Sequence, residues 1–361
     1  VALGDRALDA NTTGENNTAV GQHALGAVST SSYNVAVGQG ALYNNTAANN
    51  TAVGNHCLLS CTTGTDNTAV GGSALDAITT GSRCTAVGKS ALGANTGNEN
   101  TAVGNRALED NSSGTGNVAV GHDALKDNTT ALENTAIGTD CLRTNTTGAE
   151  NVGVGAYALY TNNGDDNTAV GKSALYANTT GGNNTAVGRN SLAANTTGAS
   201  NTAVGSLCLE ANTTGSNLVT IGVRSLDSNT TGDGNTACGS YALRYNTTAS
   251  YNTAVGHGAL QANTTGQYNT AVGSYALKTA TGESFNTAIG YEAMEVTTSG
   301  LQNTACGARA MDVNTSGSYN AAFGTNALGS NTTADSNTAC GYNALLSVTT
   351  GGTNSALGHT S

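Results

Sequence analysis

The groups able to do chemistry in this 361-residue chain are eight cysteines, five histidines and 23 acidic residues against 12 basic ones. Zinc or redox chemistry would need C-x-x-C pairs or clustered histidines. Cys57, Cys61, Cys84, Cys141, Cys208, Cys238, Cys306 and Cys340 offer neither. Buried free thiols acting as small hydrophobes are the favoured reading. The alternative is a local disulfide in the one close cluster, Cys57, Cys61 and Cys84. His23, His56, His122, His257 and His359 pair with no recurrent acid or serine, so they read as solvated surface side chains. The acidic steps Glu109-Asp110 and Asp165-Asp166 lack a partner at fixed spacing, as an acid/base pair would require. No phosphate-binding, dinucleotide or calcium nonapeptide motif is present. The expectation is no catalytic residue, no metal and no cofactor, hence no enzyme.

Two further patterns could touch a partner. Tyr251, Tyr268 and Phe285 recur at one position of three consecutive repeats, and Tyr319 returns there two repeats later. Such a row can shield a turn or serve as a sugar platform. Asn-Thr-Thr at Asn11, Asn145, Asn178, Asn195, Asn212, Asn229 and Asn263 matches the N-glycosylation sequon. The favoured reading of these asparagines is turn and ladder chemistry.

All of these residues hang on one repeat. The glycine closing Asn-Thr-Ala-Val-Gly recurs from Gly4, Gly21, Gly38 and Gly54 to Gly358, 22 times at intervals of 17 residues, three of them shortened to 16. Numbering columns from that glycine as zero, the unit reads G-x-x-A-L-x-x-N-T-T-G-x-x-N-T-A-V. Column 4 is Leu, or Met at Met294 and Met311, and column 16 is always apolar. The short repeats lose their residue between columns 8 and 12, marking a turn that tolerates deletion.

One Leu and one Val per unit cannot offset about 1–2 kcal/mol of backbone entropy per residue. The units must stack. The pattern predicts an all-β parallel β-solenoid, a β-roll with one 17-residue coil per repeat and about 22 coils over 1–361, a single array roughly 100 Å long at the ~4.8 Å strand spacing. Leu25, Leu42 and Leu58 are expected in one internal row and Val20, Val37 and Val53 in another. Cys238, Cys306 and Cys340, which replace the column 16 Val, are then expected buried and unpaired. The absence of proline fits coils that give their amides to neighbours. Recurrent Gly and Asn exclude a helical repeat. Both ends fall in mid-repeat, so the chain is expected to be a piece of a longer array.

Charge is confined to particular columns. All Lys and Arg occupy columns 1, 2, 5 and 12, and the acids add 6, 10 and 11. Columns 7, 8, 9 and 14 are polar yet uncharged. Three causes are open: an Asn ladder inside the coil with Thr at a corner, a second chain covering the stripe, or an ordered ligand such as ice. Covering by another chain predicts that Thr147→Lys dissociates an assembly, since an unpaired ammonium would be desolvated.

The net charge of −11 lacks the footprint of a nucleic-acid binder and disfavours anionic lipid, and no run of eighteen apolar residues exists to insert in a membrane. Asn-Thr-Ala-Val-Gly-x-x-Ala-Leu, as at 67–75 and 100–108, resembles the head repeats of YadA-type trimeric autotransporter adhesins and the β-solenoid repeats of phage and giant-virus tail fibres. The resemblance implies a left-handed, commonly trimeric β-roll exposed on a cell or virion. Its unit is longer here than is usual in those heads. Two roles follow: the structural shaft of an extracellular fibre, filament or adhesin, or a receptor- or glycan-binding module using its variable columns. An ice-binding solenoid is the remote third. Expected partners are copies of the chain, as a homotrimer or filament, and a host-surface glycan or protein.

Overall fold

A stretch of Thr-Ala-Val bounded by Asn and Gly is a short β-branched run between turn formers, and it folds as a three-residue strand. The computed structural model describes residues 1–361 and contains 22 parallel strands and no helix. Two units, Val1–Thr180 and Gly181–Ser361, are each a parallel β-solenoid. The first holds strands β1 (Ala2–Leu3), β2 (Thr18–Val20), β3 (Val35–Val37) and β4 (Thr51–Val53) through β11 (Thr168–Val170). The second runs from β12 (Thr185–Val187) to β22 (Ser355–Leu357).

Register follows the repeat. Thr18, Ala19 and Val20 stand beside Val35, Ala36 and Val37. Across a 16-residue repeat the partnership is unchanged, Val35 facing Thr51 and Val37 facing Val53. The deletion is therefore absorbed in the turn, as expected.

A strand of three residues has one inward position, because side chains alternate. Alanine takes it: Ala19, Ala36 and Ala52 are fully buried. The valines stack in register, but on the outer face, and Val53 is 37% exposed. The expected internal row of Val20, Val37 and Val53 is thus corrected to an external one. The interior contains the column 3 and 15 alanines, the column 4 leucines and two rows of asparagine. Leu25, Leu42 and Leu58 are fully buried.

Those leucines lie in the left-handed region, with φ of 53°, 52° and 52°. This backbone costs a branched residue about 1–2 kcal/mol, which burial of a leucine at about 1.5–3 kcal/mol offsets. The gain is a tight double turn. Ala24 donates to the Gly21 carbonyl and Val28 to the Leu25 carbonyl, both at 3.3 Å. Between coils, Leu25 donates to the Ala41 carbonyl at 3.0 Å and Ala27 to that of Tyr43 at 2.9 Å. The side of the coil without a regular strand is laddered as well.

Column 0 needs glycine on two counts. Gly121 has φ of 143°, and a Cβ there would stand 2.5 Å from the Gly138 carbonyl oxygen in the next coil.

The asparagine rows account for much of the charge exclusion. In column 13, Asn34 N–H donates to Asn17 Oδ1 and Asn50 N–H to Asn34 Oδ1, each at 3.0 Å. Asn50 Nδ2 reaches across the coil to the Gly64 carbonyl at 2.8 Å. In column 7, Asn128 Nδ2 donates to Asn111 Oδ1 at 2.6 Å while Asn111 Nδ2 donates to the Gly114 carbonyl at 3.0 Å. A side chain that donates and accepts at once suits such a row, and where the row is broken, at Cys84 and Leu218 in column 13 and Val28 and Ile78 in column 7, an equally uncharged residue is buried instead. Column 8 is tied too: Thr213 Oγ1 donates to the Thr230 carbonyl and Thr230 Oγ1 to that of Thr247, each at 3.0 Å.

Candidate functional site

With columns 7, 8 and 13 explained by bonds within the array, three uncharged columns still face outward. Column 9 is exposed, as at Thr147. Columns 14 and 16 form the outer face of the strands, with Thr68, Val70, Thr253 and Val255 as typical occupants. Val70, Val87, Val103 and Val120 are all more than one-third exposed in consecutive coils, and so are Val255, Val272 and Ile289 in the second unit. A row of β-branched side chains flanked by threonine makes a flat, neutral, half-apolar surface along each unit. Continuous apolar exposure of this kind marks interaction surfaces.

Three cysteines lie on that face. Cys238, Cys306 and Cys340 occupy column 16, the first two half-buried and the last exposed. Their expected burial is corrected for the same reason as the valines: column 16 points outward. They are unpaired, as are all eight. Cys57, Cys61 and Cys84 are buried and free, so no local disulfide joins them. Burial pushes the thiols of Cys57 and Cys141 up to about 12 and those of Cys61 and Cys208 to about 11. Such thiols are inert at neutral pH.

The aromatic row is real. Tyr251 stacks on Tyr268 with centroids 5.3 Å apart, and Tyr268 on Phe285 at 5.2 Å, at interplanar angles of 11° and 8°. Gly234 stands in the same column one coil earlier, and a Cβ there would meet Tyr251 Cδ1 at 2.8 Å. The ring faces are turned on each other, leaving edges and hydroxyls to solvent. A sugar platform needs a free face, which the mutual stacking of these rings does not offer between them. Tyr319 is exposed and separate from the stack.

A second group forms across columns 1, 2, 5 and 6 of the same coils. The His257 ring meets Tyr241 and Tyr275 edge-on at 5.7 and 5.2 Å. Arg244 lies over Tyr245 at 4.9 Å and Lys278 over Tyr275 at 4.7 Å. The sequence hides this cluster because its members are scattered in number and meet only when successive coils are overlaid. In the first unit, His23, Gly40, Tyr43, His56 and Leu59 line a shallow surface cavity of 210 Å³.

The sequon asparagines Asn145, Asn178, Asn195, Asn212, Asn229 and Asn263 are fully buried, and Asn145 Nδ2 is committed to the Gly148 carbonyl at 2.8 Å. A glycan cannot be attached to that nitrogen in the folded coil.

No model of a known protein family and no curated protein sequence matches the chain.

Proposed function

We propose that the chain is a structural segment of an extracellular fibre, filament or adhesin, non-enzymatic, and that copies associate through the outer strand face. The YadA-type and tail-fibre resemblance of its repeat motif supports the fibre reading. The observation that carries the association is the absence of charge from columns 14 and 16 although both are solvent-facing in every internal coil. Columns 5 and 12 are equally open and freely take Lys, Arg, Asp and Glu. A solvated face has no physical reason to stay neutral through 21 intervals, whereas a face covered by another chain excludes ions by desolvation.

Light scattering of the purified chain tests this. Wild type should show the mass of several chains, and Val255→Lys with Val272→Lys should lower it. A one-chain mass in wild type, or an unchanged multimer in the variant, rejects the interface. An ordered water lattice on the same face is the outcome in which wild type is monomeric yet shapes ice growth. The second role, glycan binding by Tyr251, Tyr268 and Phe285, draws no support from their mutual stacking.

A further inference from the structure

We propose that His122, Asp123 and Asp140 bind one divalent transition cation of the zinc type. The three come from successive coils: His122 and Asp123 from columns 1 and 2, and Asp140 from column 2 one repeat later. Their ligand atoms all lie within 4.8 Å of one another.

The second observation is an orphaned oxygen. The Asp123 side chain is only 2% exposed. Its Oδ2 accepts from Arg106 Nη2 at 2.7 Å, with Arg143 Nη2 at 3.7 Å. Its Oδ1 is buried and has no hydrogen-bond partner. His122 Nδ1 stands 3.6 Å from that oxygen, too far for a hydrogen bond. A buried carboxylate oxygen without a donor is costly, which is why such atoms are rare. Ligands about 2.0–2.2 Å from a tetrahedral zinc are about 3.4 Å apart. The His122–Asp123 separation is therefore nearly that of two ligands of one ion. Asp140 would close in by a small rotation, its Oδ1 steadied by Arg143 Nη1 at 3.1 Å.

Charge at the site itself is balanced, Asp123 and Asp140 pairing with Arg106 and Arg143. Beside it, Glu109, Asp110 and Asp127 share only Lys126, which leaves the neighbouring turn with an excess of two negative charges. An imidazole nitrogen in the set favours zinc, cobalt or nickel over calcium and magnesium, which take oxygen ligands. The His122 side chain is half exposed, leaving an open path and a fourth position for water. The ion would staple two adjacent coils.

Calorimetric titration with zinc tests the site, using a chain in which Cys238, Cys306 and Cys340 are returned to the column's valine to remove competing thiols. That parent should bind zinc, and magnesium and calcium should not displace it. His122→Ala, a change at an exposed side chain, should lose one equivalent, with affinity at the site down at least tenfold. Zinc should raise the thermal midpoint of the parent and not that of the variant. A parent with no uptake below about 100 µM zinc, or a His122→Ala chain that retains the full stoichiometry, overturns the proposal.

Discussion

Two glycine columns look alike in sequence and differ in what they tolerate. Gly121→Ala places a side chain at φ of 143° and 2.5 Å from the Gly138 oxygen, and should cost about 3 kcal/mol or more. Column 10 has ordinary φ, and Ala131, Ala249 and Ala334 already occupy it. Gly215→Ala also brings a Cβ within 2.6 Å of the Gly232 oxygen, but it carries no positive-φ strain, so it should cost less than Gly121→Ala. Chemical denaturation of both variants checks the contrast, and equal losses would contradict it. The asparagine rows are tested similarly. Asn134 Oδ1 accepts from the Asn151 N–H at 3.0 Å, and its Nδ2 donates to the Gly148 carbonyl at 2.9 Å. Asn134→Ala leaves the buried Asn151 N–H unpaired, while the Gly148 carbonyl keeps its bond from Asn145 Nδ2, so it should cost about 1–3 kcal/mol. A loss below about 1 kcal/mol would mean that the row is replaceable by packing.

Among the turns, the variable columns are open to charge but do not leave it fully solvated. Asp76, Asp227 and Asp312 in column 5 and Glu283 in column 10 have carboxyls raised above the usual carboxylate range, chiefly by burial. A carboxyl with a raised folded pKa holds its proton more tightly when folded. The folded state is thus penalised well above that pKa and gains stability as pH falls toward it. The thermal midpoint should rise as pH is lowered from 7 toward about 5, and Asp227→Asn with Glu283→Gln should flatten the rise. A midpoint that falls over that window would contradict the account, since lowered carboxyls such as Glu292 lose their contribution only at pH below the ordinary carboxylate range. The sequence made the elements legible through column chemistry: period, strand, deletable turn and leucine row. It misplaced column 16, because Ala and Val are both apolar and only the alternation within a three-residue strand says which points inward. It missed His122, Asp123 and Asp140 because their proximity arises across coils. The left-handed leucines carry no mark in composition at all.

For the whole molecule, interior and surface obey different rules. The interior repeats small residues and amide rows with little latitude, while columns 1, 2, 5 and 12 vary freely. Between them lies the neutral face of columns 14 and 16, which the interior does not need and solvent does not explain. The proposal that this face is a contact between chains is the centre of the functional account, and the chain carries its own reporters there. Cys238, Cys306 and Cys340 sit in column 16, and the other five thiols are buried. Maleimide labelling of the native protein, read by mass spectrometry, tests the contact most directly. If copies cover the face, these three thiols resist labelling in wild type and react rapidly once Val255→Lys and Val272→Lys separate the chains. Three thiols reacting in wild type at the rate of a free small thiol, with the other five silent, would show the face bare and contradict the account.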